Sequence, residues 1–255
     1  MEKPVTITTV EGLKLNGQVF LPDDSGKANP AVILCHGIPS GIVDPNDGGY
    51  AELARTICSE GFAVLSFNFR GCRGSEGNFD ILGWVNDLKA ATDYMLDLPA
   101  VNGKLVYVGF SAGAAVSIYN GAKDPRATGI CACACPADFS SIYAADQTQF
   151  TIDYFRKAGI ISDHNFPPSF EEWINHFRIV EPVDVVGEIS PRPLMLIHSA
   201  DDPVVPLNDS HRLLRQAGEP KQLVILEGGE HRLRRHETAV NTIIKWLQTN
   251  FTNSK

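Results

Sequence analysis

The stretch Leu105-Val106-Tyr107-Val108-Gly109-Phe110-Ser111-Ala112-Gly113-Ala114-Ala115-Val116-Ser117-Ile118 changes its period halfway. Residues 105–110 form a nearly continuous apolar run, the pattern of a strand buried on both faces, and residues 114–118 open a helical pattern. Between them stands Gly-x-Ser-x-Gly. A serine on such a tight strand-to-helix turn exposes its hydroxyl beside the helix N-terminus, and the flanking glycines let neighbouring backbone pass closely. The competing reading is a glycine-rich turn that only packs a helix on a sheet.

Similar apolar runs occupy 31–36, 63–69, 129–135, 194–198 and 222–226, each read as a strand buried on both faces. Helical spacing fills 50–60, 82–98, 111–121, 209–216 and 237–251. Ahead of them, 5–9 and 13–21 alternate around Glu11-Gly12, as an antiparallel hairpin does. The order predicts an α/β fold: a doubly wound, mostly parallel sheet with an antiparallel N-terminal hairpin and helices on both faces. Its ligand site is expected at the carboxyl ends of the strands. Residues 137–190 break the rhythm with no clear strand and a gathering of aromatics, including Phe139, Tyr143, Phe150, Phe155, Trp173 and Phe177. They are read as an insertion within one domain spanning 1–255.

The composition of the 255 residues, 44% hydrophobic and 20% charged, suits a soluble globular chain. Lys and Arg total 22 against 30 Asp and Glu, a net charge of −8, which argues against a nucleic-acid partner. No apolar run approaches the roughly 20 residues of a membrane helix, and residues 1–10 lack the apolar stretch of a signal peptide. A cytoplasmic protein without a membrane partner is expected, as a monomer or a homodimer. The six cysteines are expected to be reduced; Cys131, Cys133 and Cys135 alternate so that a strand would turn all three to one face, a spacing unlike zinc sites.

A serine hydroxyl becomes nucleophilic when a neutral imidazole takes its proton and a carboxylate orients that imidazole. His231, in Gly228-Gly229-Glu230-His231 after the last apolar run, is the expected base. His36 and His198 end strands and are the alternatives. Asp201 and Asp202 compete for the carboxylate role, since neighbours in a turn point differently. Two backbone N–H donors for a developing oxyanion are available at Ala112, after the serine, and at Ile38, in His36-Gly37-Ile38-Pro39.

These motifs resemble the α/β-hydrolase superfamily over nearly the whole chain. Residues 109–113 match its nucleophile elbow, His36-Gly37 its oxyanion loop, and Arg70-Gly71-Cys72-Arg73-Gly74-Ser75 a loop that often reads Arg-Gly-x-Gly-x-Ser there. Asp202-Pro203-Val204-Val205-Pro206 matches its acid loop, which favours Asp202, although Ser199 stands where many relatives carry glycine. The chain resembles compact bacterial-type serine esterases, with cinnamoyl-esterase-like, dienelactone-hydrolase-like and serine aminopeptidase-like members. The resemblance implies a serine hydrolase acting on a small-molecule carboxylic ester, with a small or aromatic acyl group, through an acyl-enzyme. Residues 137–190 would be its cap. No metal or organic cofactor is implied. A peptidase or amidase with the same residues, and a noncatalytic binding protein on the same fold, are the alternatives.

Overall fold

The computed structural model describes residues 1–23, 26–39, 47–143 and 148–252, apart from the side chains of 148–150. Phe150's side chain therefore lies outside the described residues. The strands are β1 (Glu2–Thr8), β2 (Lys14–Phe20), β3 (Asn29–Cys35), β4 (Ala63–Phe67), β5 (Val101–Phe110), β6 (Ala127–Cys133), β7 (Leu194–Ser199) and β8 (Lys221–Leu226). They form one eight-stranded sheet in the order β1-β2-β4-β3-β5-β6-β7-β8. β1–β2 and β2–β4 pair antiparallel; every other pairing is parallel. The expected hairpin and the mostly parallel sheet are both present.

The helices are α1 (Gly49–Ser59), α2 (Ile81–Leu96), α3 (Ala112–Lys123), α4 (Ser140–Tyr143), α5 (Thr148–Lys157), α6 (Phe170–Ile179), α7 (Pro182–Val185), α8 (Leu207–Gln216) and α9 (Glu237–Phe251). Alternation along the central strands divides the core into two layers. Ile33, Leu105, Tyr107 and Ile130 face α2 and α3; Val32, Leu34, Val106 and Val108 face α1 and α9. Among the described residues no helix is long and apolar enough to cross a membrane.

Two local expectations are corrected. Cys131 and Cys133 share the face of α1 and α9, but Cys135 packs in the opposite layer. The strand ends at Cys133, and Ala134 adopts φ 49°, which breaks the two-residue alternation. The run at 222–226 is a strand, yet not buried on both faces: β8 is last in the sheet order, and Ile225 is 43% exposed.

Among the described residues between β6 and β7 lie α4 to α7 and no strand, and they are tied to residues 78–80. Trp173 Nε1 donates to Phe79 O at 3.0 Å, Phe79 N donates to Ile160 O at 2.8 Å, and Asn78 Oδ1 accepts from Ser162 N at 2.9 Å. His176 Nδ1 lies 2.7 Å from Asp80 Oδ2, the carboxylate group that also caps α2 through Gly83 N. Phe139, Phe155, Trp173 and Phe177 are buried in one cluster with Phe79 and Trp84. Half of the described aromatics of this segment therefore lie in that core, and Tyr143, Phe166 and Phe170 pack against it while part-exposed.

Candidate functional site

β3 lies between β4 and β5, so the connections leaving β3 and β5 run to opposite sides and open a crevice at their carboxyl ends. Ser111 leaves β5 into α3 with φ 55° and ψ −127°, backbone angles that cost a non-glycine residue about 1–3 kcal/mol. Its amide donates to Cys133 O at 2.9 Å, which fixes the turn to β6. Both motif glycines are required by contact. A Cβ at Gly113 would stand 2.3 Å from His36 O, and one at Gly109 would stand 2.5 Å from Ala114 Cα. Gly37 answers from the other side, because its Cβ would meet Ser111 Cβ at 2.9 Å.

The loop after β3 is fixed by His36. Its Nδ1–H donates to Gly37 O at 2.7 Å, and its Nε2 accepts the Phe69 amide at 3.1 Å. Burial holds this imidazole down to about 4, against an ordinary value near 6.5, so it is neutral and both nitrogens are occupied. The half-buried Ile38 follows this locked pair, and Ala112 opens the first turn of α3. First-turn amides have no intrahelical acceptor, so the Ala112 N–H is free to serve an anion.

His231 stands in the loop after β8. Its Nε2 is 3.0 Å from Ser111 Oγ, and its Nδ1 lies 2.8 Å from Asp202 Oδ2 and 3.1 Å from Oδ1. A carboxylate at Nδ1 places the proton there and leaves the Nε2 lone pair toward the serine. The Asp202 side chain is fully inaccessible to solvent. Burial pushes its carboxyl up, but hydrogen bonds from His231 and from the Val205 and Val204 amides outweigh this and hold it below the usual carboxylate range. The site thus brings together Ser111, Asp202 and His231, with Ile38 on the loop after β3 and Ala112 at the start of α3, at the same edge.

The competing candidates are held by other partners, with His198 Nε2 also standing 3.6 Å from Asp202 Oδ2. His198 is buried behind the acid loop, with Nε2 donating to Val205 O at 2.9 Å and Nδ1 accepting from Ser210 Oγ at 2.6 Å. Asp201 engages the histidine loop's backbone and not the His231 ring: it accepts from Ser199 Oγ at 2.5 Å and from Glu230 N at 3.3 Å. Ser199 Oγ in turn accepts the Gly229 amide at 3.0 Å. The serine that departs from the family's glycine therefore ties the acid loop to the histidine loop. Nothing local in the sequence announced that link.

Burial pushes the thiols of Cys35 and Cys72 up to about 12, so neither competes as a nucleophile near neutral pH. Among the described residues no group of three His, Cys, Asp or Glu side chains is arranged to hold a metal ion. The loop after β4 is braced by Arg70, whose Nε and Nη2 both donate to Asp87 Oδ1, at 2.9 and 2.8 Å.

This sheet order, with a strained serine turn at its centre, defines an α/β hydrolase. The chain belongs to the X-Pro dipeptidyl-peptidase (S15) family, whose profile matches residues 11–169. That stretch contains Ser111; Asp202 and His231 lie beyond it. Rv2307c of Mycobacterium tuberculosis H37Rv is 27% identical over 231 residues, covering 90% of this chain and 72% of that protein. The α/β hydrolase GrgF from Penicillium sp. superposes with a TM-score of 0.76 at 22% identity, covering 98% of this chain and 99% of that one. Est1E from Butyrivibrio proteoclasticus, solved with ferulic acid, superposes with a TM-score of 0.74 at 19% identity, covering 96% and 98%. At these identities the solved structures speak for the fold alone.

Proposed function

We propose that this hydrolase is a serine carboxylesterase. The observation that carries the reading is the continuous path from Ser111 Oγ to His231 Nε2 at 3.0 Å and from His231 Nδ1 to Asp202 at 2.8 Å. In the proposed cycle His231 takes the serine proton as Oγ attacks an ester carbonyl, and the Ile38 and Ala112 amides hold the oxyanion. The imidazolium then gives that proton to the departing alkoxide, leaving an acyl-serine and free alcohol. Water, deprotonated by His231, attacks the acyl carbon, and collapse of the second oxyanion returns the proton to Ser111 and releases the acid. Asp202 remains ionised throughout, holding the tautomer and balancing the imidazolium charge.

Residues 137–190 act in this reading as a cap beside the site, and the substrate is a small-molecule ester. An aromatic acyl group draws support from the ferulic acid bound to Est1E. It draws little from the cap aromatics, since Phe139, Phe155, Trp173 and Phe177, half of those described, are buried. A second reading, cleavage of a peptide or amide bond by the same residues, is favoured by the S15 family match.

The test compares purified wild type and Ser111→Ala on esters of varied acyl length and aromaticity, and on X-Pro amides, with fluorophosphonate labelling. Ester turnover and labelling that both vanish in Ser111→Ala are expected. Faster amide than ester turnover selects the second reading, and labelling retained in Ser111→Ala rejects Ser111 as nucleophile.

A further inference from the structure

Arg234 follows His231 by three residues, in the 3-10 turn Leu233–Arg235. Its Nη1 donates to Asp47 Oδ1 at 2.5 Å and its Nη2 donates to Asp47 Oδ2, a two-pronged grip on the carboxylate. Asp47 also accepts the Gly49 amide at 2.9 Å, which fixes it at the start of α1. The pair joins residues 187 apart in the chain.

The same guanidinium lies over the ring of Tyr50, 5.3 Å from its centroid. Tyr50 meets Phe110 edge-on at 5.5 Å and approaches His36 at 6.1 Å. Phe110 immediately precedes Ser111, and His36 immediately precedes Gly37 and Ile38. One arginine therefore touches, directly or through one ring, the elements that carry the base, the nucleophile and an oxyanion donor. On its other side the histidine loop is held by the Gly229 and Glu230 amides on Ser199 and Asp201, and by the His231 ring on Asp202.

Exposure separates this pair from ordinary surface bridges. The Arg234 and Asp47 side chains are 18% and 12% exposed, against 50% and 52% for Lys123 and Glu188. A bridge as exposed as the latter contributes little, whereas removing Arg234 breaks a shielded, two-pronged grip and leaves Asp47 facing Arg235, 4.0 Å away and 40% exposed.

We propose that the Arg234–Asp47 pair is a positioning device for the reaction, keeping the His231 loop in register with Ser111 and Ile38. This rests on the serine-hydrolase reading given above. Arg234 and Asp47 are positioning residues, since neither reaches the reacting atoms. Misplacing a base by about 1 Å costs on the order of a hundredfold in rate while leaving the binding surfaces in place. The pair therefore acts on kcat rather than on KM.

The experiment is a double-mutant cycle of Asp47→Asn and Arg234→Gln, with Arg234→Lys beside it. Ester kcat is expressed per site titrated with fluorophosphonate, and KM and Tm are measured in parallel. Each single variant is expected to lose roughly ten- to a hundredfold in kcat with KM changed less than about twofold. The double variant should lose no more than the worse single. Arg234→Lys should recover only part, because one ammonium does not span both carboxylate oxygens. Unchanged kcat per titrated site overturns the proposal, as do losses that multiply in the double variant or fall on KM alone. Where the neutral variants fail to fold, Arg234→Lys decides: reduced kcat at native Tm upholds the pair, and unchanged kcat rejects it. A wild type labelled in a Ser111-dependent way, with insensitive Asp47 and Arg234 variants, rejects the device and leaves the serine reading intact. A wild type with neither labelling nor turnover rejects both.

Discussion

The Nε2 atom of His231 and the hydroxyl oxygen of Ser111 stand 3.0 Å apart although 120 residues separate them. Their meeting depends on β5 and β8 ending on the same edge of the sheet, and on Asp202 reaching the same ring from the end of β7. Three strand ends thus supply one hydrogen-bonded path.

If that path works as a unit, His231→Ala should fall to the residual rate of Ser111→Ala rather than to an intermediate value. Asp202→Asn should lose roughly 10⁴-fold in kcat, since the amide no longer holds the required tautomer. Asp201→Asn should lose less than about tenfold, because Asp201 supports the loop and not the ring. Steady-state kinetics on one ester orders the four variants; equal losses at Asp201 and Asp202 would overturn the assignment of the acid.

Ser111 pays in conformation for its place on the turn: at φ 55° a glycine rests more comfortably than a serine or an alanine. Ser111→Gly should therefore be inactive yet more stable than Ser111→Ala by about 1 kcal/mol. Urea unfolding of the two variants reads the difference directly, and a less stable glycine variant would mean the turn is unstrained.

Gly113 has no room for a methyl group, since its Cβ would stand 2.3 Å from His36 O and 2.4 Å from Cys35 O, both backbone atoms. Gly113→Ala must separate α3 from the end of β3, moving Ala112 and Ile38 apart. A loss of about 1–3 kcal/mol in stability is expected together with a fall in kcat. Full activity at wild-type stability would show that the two loops do not need this close approach.

The buried His36 gives stability a particular pH dependence. Its folded value near 4 lies below its ordinary 6.5, so the unfolded chain binds this proton first as the pH falls. The contribution of neutral His36 is fully present above about pH 6.5 and is lost progressively down to about pH 4, some 3 kcal/mol in total. Unfolding free energies at pH 7.5 and 4.5 should converge between wild type and His36→Gln. Parallel lines for the two proteins would place the pH dependence elsewhere.

Much of the fold was legible because its signals are local. Two-residue alternation marked the hairpin at β1 and β2, continuous apolar runs marked the central strands, and the change of period at Ser111 marked the turn. The glycines at 109 and 113 were legible from the Gly-x-Ser-x-Gly pattern, but what crowds Gly113, the end of β3, is a tertiary contact that the pattern does not name. The burial of β8 was misread because an apolar run does not say how many faces its neighbours cover. Cys135 was misplaced because one residue at positive φ, Ala134, reverses the alternation after the strand ends.

The sequence by itself determined the order of the strands and of the helices outside 137–190, the serine turn, and the small set of imidazoles and carboxylates that could serve it. Tertiary structure alone decided that His36 is locked as a neutral brace, that Ser199 and Asp201 tie two loops together, and that Arg234 grips Asp47. The physical reason is range. Steric and periodic preferences act between residues a few positions apart and leave a trace in the string, whereas hydrogen bonds and ion pairs between distant residues exist only after the sheet has brought its strand ends to one edge.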